Sequence, residues 1–386
     1  AGQIFLRLIF MVVIPLVVSA LTLGVAELGD VRRLGRVGLK TLAFTLVLSS
    51  ISVLIGVTLA NVVKPGEGLS GTSRAALMEI MGKSSRDVER PPAPKAGLQI
   101  FLDLIPQNPV EAMVNAFRGD ILAVMVFALF VGIAVTLADR NRAEPLLAWL
   151  QAVFEVVMKA IDIAMRLAPY GVAALLFTLM ARSGLDVLAK LGLYVATVLA
   201  GLAIHQFVTY SLMLKFVVRY PPALFFARIR EVMVTAFSTS SSNATLPTTL
   251  RVAEAGLGIP RPIGGFVLTL GSTLNQNGTA LYEGITVLFL AQFFGIHLSL
   301  ASQITVVLLS ILAGIGTAGV PGGSLPLVMA LLVTVGVPAE GIGIILGVDR
   351  ILDMTRTMTN VGADLVTAAI VDSRQGGPAL GTSPVP

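Results

Sequence analysis

Apolar residues in this chain come in runs of spanning length, separated by short charged segments. Residues 8–26, 41–63 and 191–214 hold no Asp, Glu, Lys or Arg, and about 20 such residues suffice to cross the hydrocarbon core of a bilayer. Residues 284–339 continue for 56 positions without one of these charged residues. That is too long for one crossing, so the chain is expected to fold back inside the stretch. The alternation that marks a barrel strand is missing. The pattern therefore predicts an all-α integral membrane protein. Spans are expected over residues 4–25, 39–63, 147–181 and 185–218, with a unit at 98–138 broken by Pro106, Pro109 and the polar 118–120 segment. Basic residues gather at 27–40 (Arg32, Arg33, Arg36, Lys40), at 139–144, and at Arg219, Arg228 and Arg230, which the positive-inside tendency puts in the cytoplasm. Residues 64–96 carry mixed charge and end in Pro91, Pro92 and Pro94, so they read as an external loop.

After residue 231 the pattern changes. Residues 232–250 are moderately apolar but contain STSSSNATLPTT at 238–249. Ser and Thr cap helix ends, and a proline such as Pro247 interrupts the backbone ladder. A hairpin that enters part-way and turns is expected, because non-helical backbone at membrane depth survives only where protein or a cavity surrounds it. A basic loop is expected at 251–261. The span at 262–294 is interrupted by NQNGT at 275–279, which predicts an unwound segment with carbonyls open to a cation. A second hairpin has its tip at 314–325, GIGTAGVPGGSL, with five glycines and Pro321. Its GxGxxG pattern lacks the strand–turn–helix context of a dinucleotide site and is set aside. The order hairpin, broken helix, hairpin, polar helix reads as two like units entering from opposite sides, with Thr-Leu-Pro at 245–247 in one and Ser-Leu-Pro at 324–326 in the other. Inverted repeats with interrupted segments near the midplane are a transporter pattern. The bland alternative for the tips is flexible glycine linkers.

The last apolar region runs into GVDRILDMTRTMTNVGAD at 347–364. At about 100° per residue, Asp349, Asp353, Arg356, Asn360 and Asp364 share an arc of about 80°, with Thr357 at its edge. The opposite side, with Ile351, Leu352, Met358, Val361 and Leu365, is apolar. Charges at bilayer depth are costly and mark a substrate or ion path. The alternative is a buried ion-pair ladder that ties helices together.

Composition agrees with a membrane protein: 55% of residues are hydrophobic and 13% charged, against about 25% charged in soluble domains. There are no cysteines and two histidines, which removes disulfides, thiolate metal sites and a cysteine nucleophile and leaves little for a histidine metal centre. His205, among apolar residues, reads as a hydrogen-bonded core or interface histidine rather than a ligand. The net charge of +5 is attributed to basic cytoplasmic loops rather than to nucleic-acid binding. The first apolar run exceeds a signal-peptide core, and a further N-terminal segment is expected upstream of Ala1.

At SSSNATLP (240–247), NQNGTALYEG (275–284), GIGTAGVPG (314–322) and DRILDMTRTMTNVGAD (349–364) the chain resembles the glutamate transporter family, the dicarboxylate/amino acid:cation symporters. The four motifs stand in the family's order and spacing, and the resemblance covers essentially the whole chain. It implies a homotrimer in the inner membrane, surrounded by lipid, whose transport domains move like elevators against a scaffold. Residues 1–63 would give the family's second and third helices, the third partly in the transport domain. Residues 64–146 would form the external loop and broken scaffold helix, 147–218 two further membrane helices, 219–373 the transport core and 374–386 a tail. The resemblance further implies that Arg356 holds the side-chain carboxylate of an acidic substrate and that Asp353, with Thr357 beside it, receives the α-ammonium. Asn360 and the tip Ser241, Ser242 and Asn243 would take the main-chain carboxylate. Thr279 would touch the distal carboxylate, and Gly319 and Val320 would close over it. One sodium ion would lie among Gly271, Asn275, Asn360 and Asp364, and a second among carbonyls of Thr273, Gly314, Ile315 and Thr317.

The chain departs from the family at several of these places. Asn277 stands where sodium-coupled relatives have a carboxylate, and Thr45 and Leu48 where a third sodium site has tyrosine and threonine; only Ser49 is retained. That site is expected to be absent or altered. Glu283, four and eight residues after Thr279 and Asn275, is a candidate proton carrier; the alternative is a structural hydrogen bond. Ser240 and Met354 occupy positions where branches of the family carry an arginine, and Arg350 is the candidate replacement, as in the dicarboxylate branch. The expected function is symport of aspartate or glutamate with Na+, H+ or both. A C4-dicarboxylate symporter is the alternative within the class, and a gated anion channel or an intramembrane hydrolase the alternatives outside it.

Overall fold

The computed structural model describes residues 2–31, 36–69, 105–116, 120–183, 186–317, 319 and 322–373. Every regular element among them is helical. The described part of the chain runs α1 (Gly2–Val31), α2 (Arg36–Val63), α3 (Pro109–Val114), α4 (Ile121–Leu137) and α5 (Arg140–Ser183). α6 (Asp186–Ala203) continues through π-helical turns at Ile204–Thr209 and Leu214–Val218. Then come α7 (Pro222–Arg228), α8 (Arg230–Thr239), α9 (Ser242–Ala255), α10 (Arg261–Leu274), α11 (Asn277–Phe294), α12 (Leu300–Gly316), α13 (Leu325–Thr334) and α14 (Ile342–Ser373). Two of these rods, Val37–Val63 and Asp186–Val218, are long and apolar enough to cross a membrane. Most of the loop expected at 64–96, Arg32, Arg33, Arg118, Val320 and the 374–386 tail lie outside the described residues.

α1 packs chiefly on α4 and α5, and α2 lies along α11. α14 is the hub. It meets α2, α5, α6, α8, α9, α10 and α11, and both its polar stripe and the opposite residues Leu352, Val361 and Leu365 are buried. Close helix contacts depend on small residues: a Cβ at Gly56 on α2 would stand 2.8 Å from the Leu281 carbonyl oxygen.

Several boundaries differ from the sequence reading. The charged segment at 139–144 is not a loop, because Asp139 caps α5 by accepting from Asn141 N–H at 3.0 Å. The turn of the first hairpin is confined to Ser240, in the left-handed region at φ 51°, and Ser241. Pro247 lies inside α9 rather than at the turn. Residue Asn243, whose carbonyl Pro247 leaves without its helical donor, is exposed, so the interruption is tolerated. The basic loop shrinks to 256–260, because Arg251 and Arg261 are held by Glu231 and Glu254 at the helix ends. His205 is buried as expected but unbonded: neither ring nitrogen has a partner among the described residues, and its ring stands edge-on to Tyr210 at 4.8 Å.

Candidate functional site

The two hairpin turns meet over the break between α10 and α11. Ser241 caps α9 by accepting from Ala244 N–H at 3.1 Å, and its Oγ donates to the Gly319 carbonyl at 2.7 Å. The Asn243 N–H donates to the same carbonyl at 3.3 Å. Gly319 is required there, because a Cβ would come 2.6 Å from the Ser272 carbonyl oxygen. Beneath these tips a small polar cavity is lined by Ser242, Thr279, Thr317, Gly319, Asp353, Thr357 and Asn360, together with Ser240, Gln276 and Ser324. Its free volume of about 10 Å³ has room for about one water molecule.

Arg356 of α14 is 1% exposed and is not itself among the cavity-lining residues; it meets the cavity through Ser324 and Asp353, which line it. Its Nη1 donates to Ser324 Oγ at 2.7 Å. Its Nη2 donates to Asp353 Oδ1 at 2.9 Å and lies 3.4 Å from Asp349 Oδ1. The guanidinium carbon sits 3.8 Å above the Tyr282 ring, a cation–π contact suited to the planar, weakly hydrated cation. The Tyr282 hydroxyl donates to Asp349 Oδ1 at 2.8 Å, and the Gly322 N–H donates to Asp353 Oδ2 at 3.1 Å. Both carboxylates that pair with Arg356 come from its own helix. The ion pairs therefore do not serve as a ladder between helices; Ser324 and Tyr282 make the cross-helix contacts.

Asn360 organises the break. Its Oδ1 accepts from Gly278 N–H at 2.7 Å and Thr279 N–H at 3.3 Å, and its Nδ2 donates to Gln276 Oε1 at 2.5 Å and Thr279 Oγ at 3.1 Å. One turn on, Asp364 accepts from Asn275 Nδ2 at 2.9 Å. A Cβ at Gly271 would stand 2.3 Å from Asp364 Oδ1, so the glycine admits the carboxylate against the backbone. Asn275 Oδ1 has no partner among the described residues. A buried carboxylate with one neutral donor beside it, plus an idle amide oxygen, suits a hard cation. Of the second expected set, Gly314 reaches the break, its would-be Cβ 3.4 Å from the Gln276 carbonyl oxygen, and Ile315 packs with Leu270 and Leu274.

The altered third site is a hydroxyl–amide cluster. Ser49 Oγ donates to Asn277 Oδ1 and Ser52 Oγ to the Asn277 carbonyl, each at 2.5 Å. Thr45 is buried beside it in the chain, and Leu48 packs in the apolar cluster that includes Tyr210. Glu283 is fully buried and neither carboxylate oxygen has a partner among the described residues, so the structural hydrogen bond is not found. Glu283 shares a helix with Thr279, but the break at 275–276 puts Asn275 outside α11, and the expected common face with Asn275 does not exist.

Some site groups escaped the sequence reading. Ser52, Tyr282 and Gln276 sit in apolar or motif contexts that carry no separate signal, whereas Ser324 belonged to the recognised Ser-Leu-Pro element. Arg350 is exposed and is not among the cavity-lining residues, and Asn243 is exposed beside the tip contact. A larger groove of about 450 Å³ at the feet of α9 and α10 has its arginines already paired with Glu231 and Glu254, so the chemistry is not there.

Residues 1–374 match the sodium:dicarboxylate symporter family. The chain belongs to that family. It is thus a membrane transporter rather than an enzyme, which removes the hydrolase alternative. It is similar to the proton/sodium-glutamate symport protein of Bacillus subtilis (strain 168), 35% identical over 375 residues that cover 97% of this chain and 85% of the relative. The proton/glutamate-aspartate symporter of Escherichia coli (strain K12) is 34% identical over 372 residues, 96% of this chain and 84% of the relative. Excitatory amino acid transporter 3 of Mus musculus is 30% identical over 417 aligned positions, 96% of this chain and 78% of the relative.

Proposed function

We propose that this symporter imports aspartate or glutamate across the inner cell membrane, coupled to Na+, H+ or both. The observation that carries the reading is Arg356, buried and bonded to Asp353 and to Ser324 of the second hairpin, two residues that line the polar cavity. A guanidinium matches a carboxylate in two-pronged geometry, and a carboxylate one turn before it suits an ammonium. In this reading Arg356 takes the side-chain carboxylate and Asp353 with Thr357 the ammonium. Asn360, Ser241, Ser242 and Asn243 take the main-chain carboxylate, and Thr279, Gly319 and Val320 complete the enclosure. The cavity as it stands is too small for a dicarboxylate, so the hairpin tips part for entry and close over the substrate. Sodium is taken by Gly271, Asn275, Asn360 and Asp364, and by Thr273, Gly314, Ile315 and Thr317. The neutral cluster at Thr45, Leu48, Ser49 and Asn277 binds no third ion strongly, and Glu283 carries a proton. The hairpins are re-entrant, residues 219–373 travel as a transport core, and the assembly is a homotrimer.

A C4-dicarboxylate is the second reading, raised by Arg350 on the turn before Asp353 in the sequence; the exposure of Arg350 away from the cavity weighs against it. The decisive experiment is uptake of labelled L-aspartate into proteoliposomes under a sodium gradient, a proton gradient, or both, with succinate as competitor and Glu283→Gln in parallel. Proton-driven uptake that Glu283→Gln abolishes, while sodium-dependent binding persists, is the expected outcome for Glu283 as carrier. Succinate uptake without aspartate uptake would overturn the amino-acid assignment.

A further inference from the structure

Gln276 stands in the break between α10 and α11, outside both helices, at φ −90° and ψ 58°. It is buried and lines the polar cavity. Its carboxamide bridges two groups: Nε2 donates to the Ser272 carbonyl at 2.8 Å, and Oε1 accepts from Asn360 Nδ2 at 2.5 Å. The partners fix these directions. A carbonyl only accepts, so the Gln276 nitrogen faces Ser272 and its oxygen faces Asn360. Asn360 Oδ1 accepts from the Gly278 and Thr279 N–H groups, so the Asn360 nitrogen is the end turned to Gln276. That nitrogen has two hydrogens, and both are taken, one by Gln276 Oε1 and one by Thr279 Oγ at 3.1 Å. No donor of Asn360 is left for a ligand. On the hairpin side of the same cavity, Ser240 Oγ and Ser242 Oγ are buried and have no partner among the described residues. The cavity thus holds two idle hydroxyls, while the Asn360 amide is occupied by a neutral oxygen of the protein itself.

We propose that Gln276 is a placeholder for the ligand's main-chain carboxylate: its amide oxygen sits where that carboxylate binds Asn360, and the carboxylate displaces it. The exchange favours the ligand, because a hydrogen bond to an ionised acceptor is stronger than one to a neutral amide. Displacement also makes room, since the bridging side chain is part of the wall that leaves about 10 Å³ free. Gln276 then sets affinity as an internal rival of the ligand rather than as one of its contacts. The inference rests on Asn360 taking the main-chain carboxylate.

The test is L-aspartate affinity, by titration calorimetry of the detergent-solubilised full chain in sodium, for wild type, Gln276→Met and Gln276→Asn. Thermal melting of each is followed with and without aspartate. Gln276→Met keeps the length of the side chain and removes the acceptor; should it fail to fold, Gln276→Leu, which also lacks an acceptor, takes its place. Gln276→Asn keeps an amide but is one methylene too short for the bridge. Each variant is expected to bind aspartate about three- to tenfold more tightly, the worth of one hydrogen bond. Each is also expected to melt lower than wild type when empty and to gain more from the ligand. A residue that only braces the break would lower the melting temperature without tightening binding, so unchanged or weaker affinity in Gln276→Met would overturn the placeholder. A gain in Gln276→Asn alone would be one of volume rather than of the bond, and would overturn it as well. If wild type binds succinate but not aspartate, the amino-acid reading has failed, and the same comparison run with succinate decides the placeholder. If wild type binds neither, the acidic-substrate reading and the placeholder fall together.

Discussion

At the scale of single residues, the arrangement around Arg356 decides what the site can hold. Two carboxylates and a hydroxyl already surround the guanidinium, so its substitution exposes two consequences together: loss of a partner for the ligand and release of two buried negative charges. Arg356→Lys keeps the charge but loses the planar fork and the flat contact with Tyr282. Aspartate affinity is expected to fall at least about 100-fold, a loss of about 3 kcal/mol at 1.4 kcal/mol per tenfold. Calorimetry checks it, and an affinity within threefold of wild type would remove Arg356 from the anchor role. Arg356, Asp353, Asn360 and Asp364 were legible in the sequence because their spacing puts charges on one stripe of a helix otherwise built for an apolar setting. Tyr282 was not, since an aromatic residue in an apolar span signals packing, and only the placement of α11 against α14 turns its ring under the guanidinium.

At the scale of elements, the break between α10 and α11 concentrates the polar backbone. Asn275, Asn360 and Asp364 gather on one side, and Asn277 with Ser49 and Ser52 on the other. The second side is neutral throughout. Asn277→Asp places a buried carboxylate among hydroxyls with no cation of the protein's own beside it, a state that a bound cation relieves. The variant is expected to melt lower than wild type without sodium, and to gain more in melting temperature as sodium is added, because an ion that binds only the folded state stabilises it. Sodium response identical to wild type would show that the carboxylate alone does not rebuild a cation site. The interruption at NQNGT and the two helix–turn–helix pairs on either side of it were legible from Gly, Pro, Ser and Asn inside apolar runs. Their boundaries were less so: Asp139 caps a helix where charge suggested a loop, and Pro247 sits inside α9 because the carbonyl it orphans belongs to an exposed residue. Capping and carbonyl exposure are properties of the folded surroundings, which composition does not report.

At the scale of the whole molecule, α1, α4 and α5 pack on one another, while α8 to α11 gather on α14. The two groups meet where α5 packs on α14 and where α1 touches α10, α12 and α13. A Cβ at Gly24 on α1 would stand 3.4 Å from Leu274 Cδ2 at the break and 3.3 Å from the Ile315 carbonyl oxygen. A contact built on glycine and smooth apolar side chains is suited to sliding. If the core travels past α1, tethering the two there stops transport while leaving the binding site whole. The native chain has no cysteines, so Gly24→Cys with Leu274→Cys gives a single pair for a short thiol cross-linker. Uptake is expected to fall to background on cross-linking and to recover on cleaving the linker, with aspartate affinity kept within about threefold. Continued uptake in the cross-linked protein would mean that α1 and the break move together, and that access alternates through the hairpin tips alone.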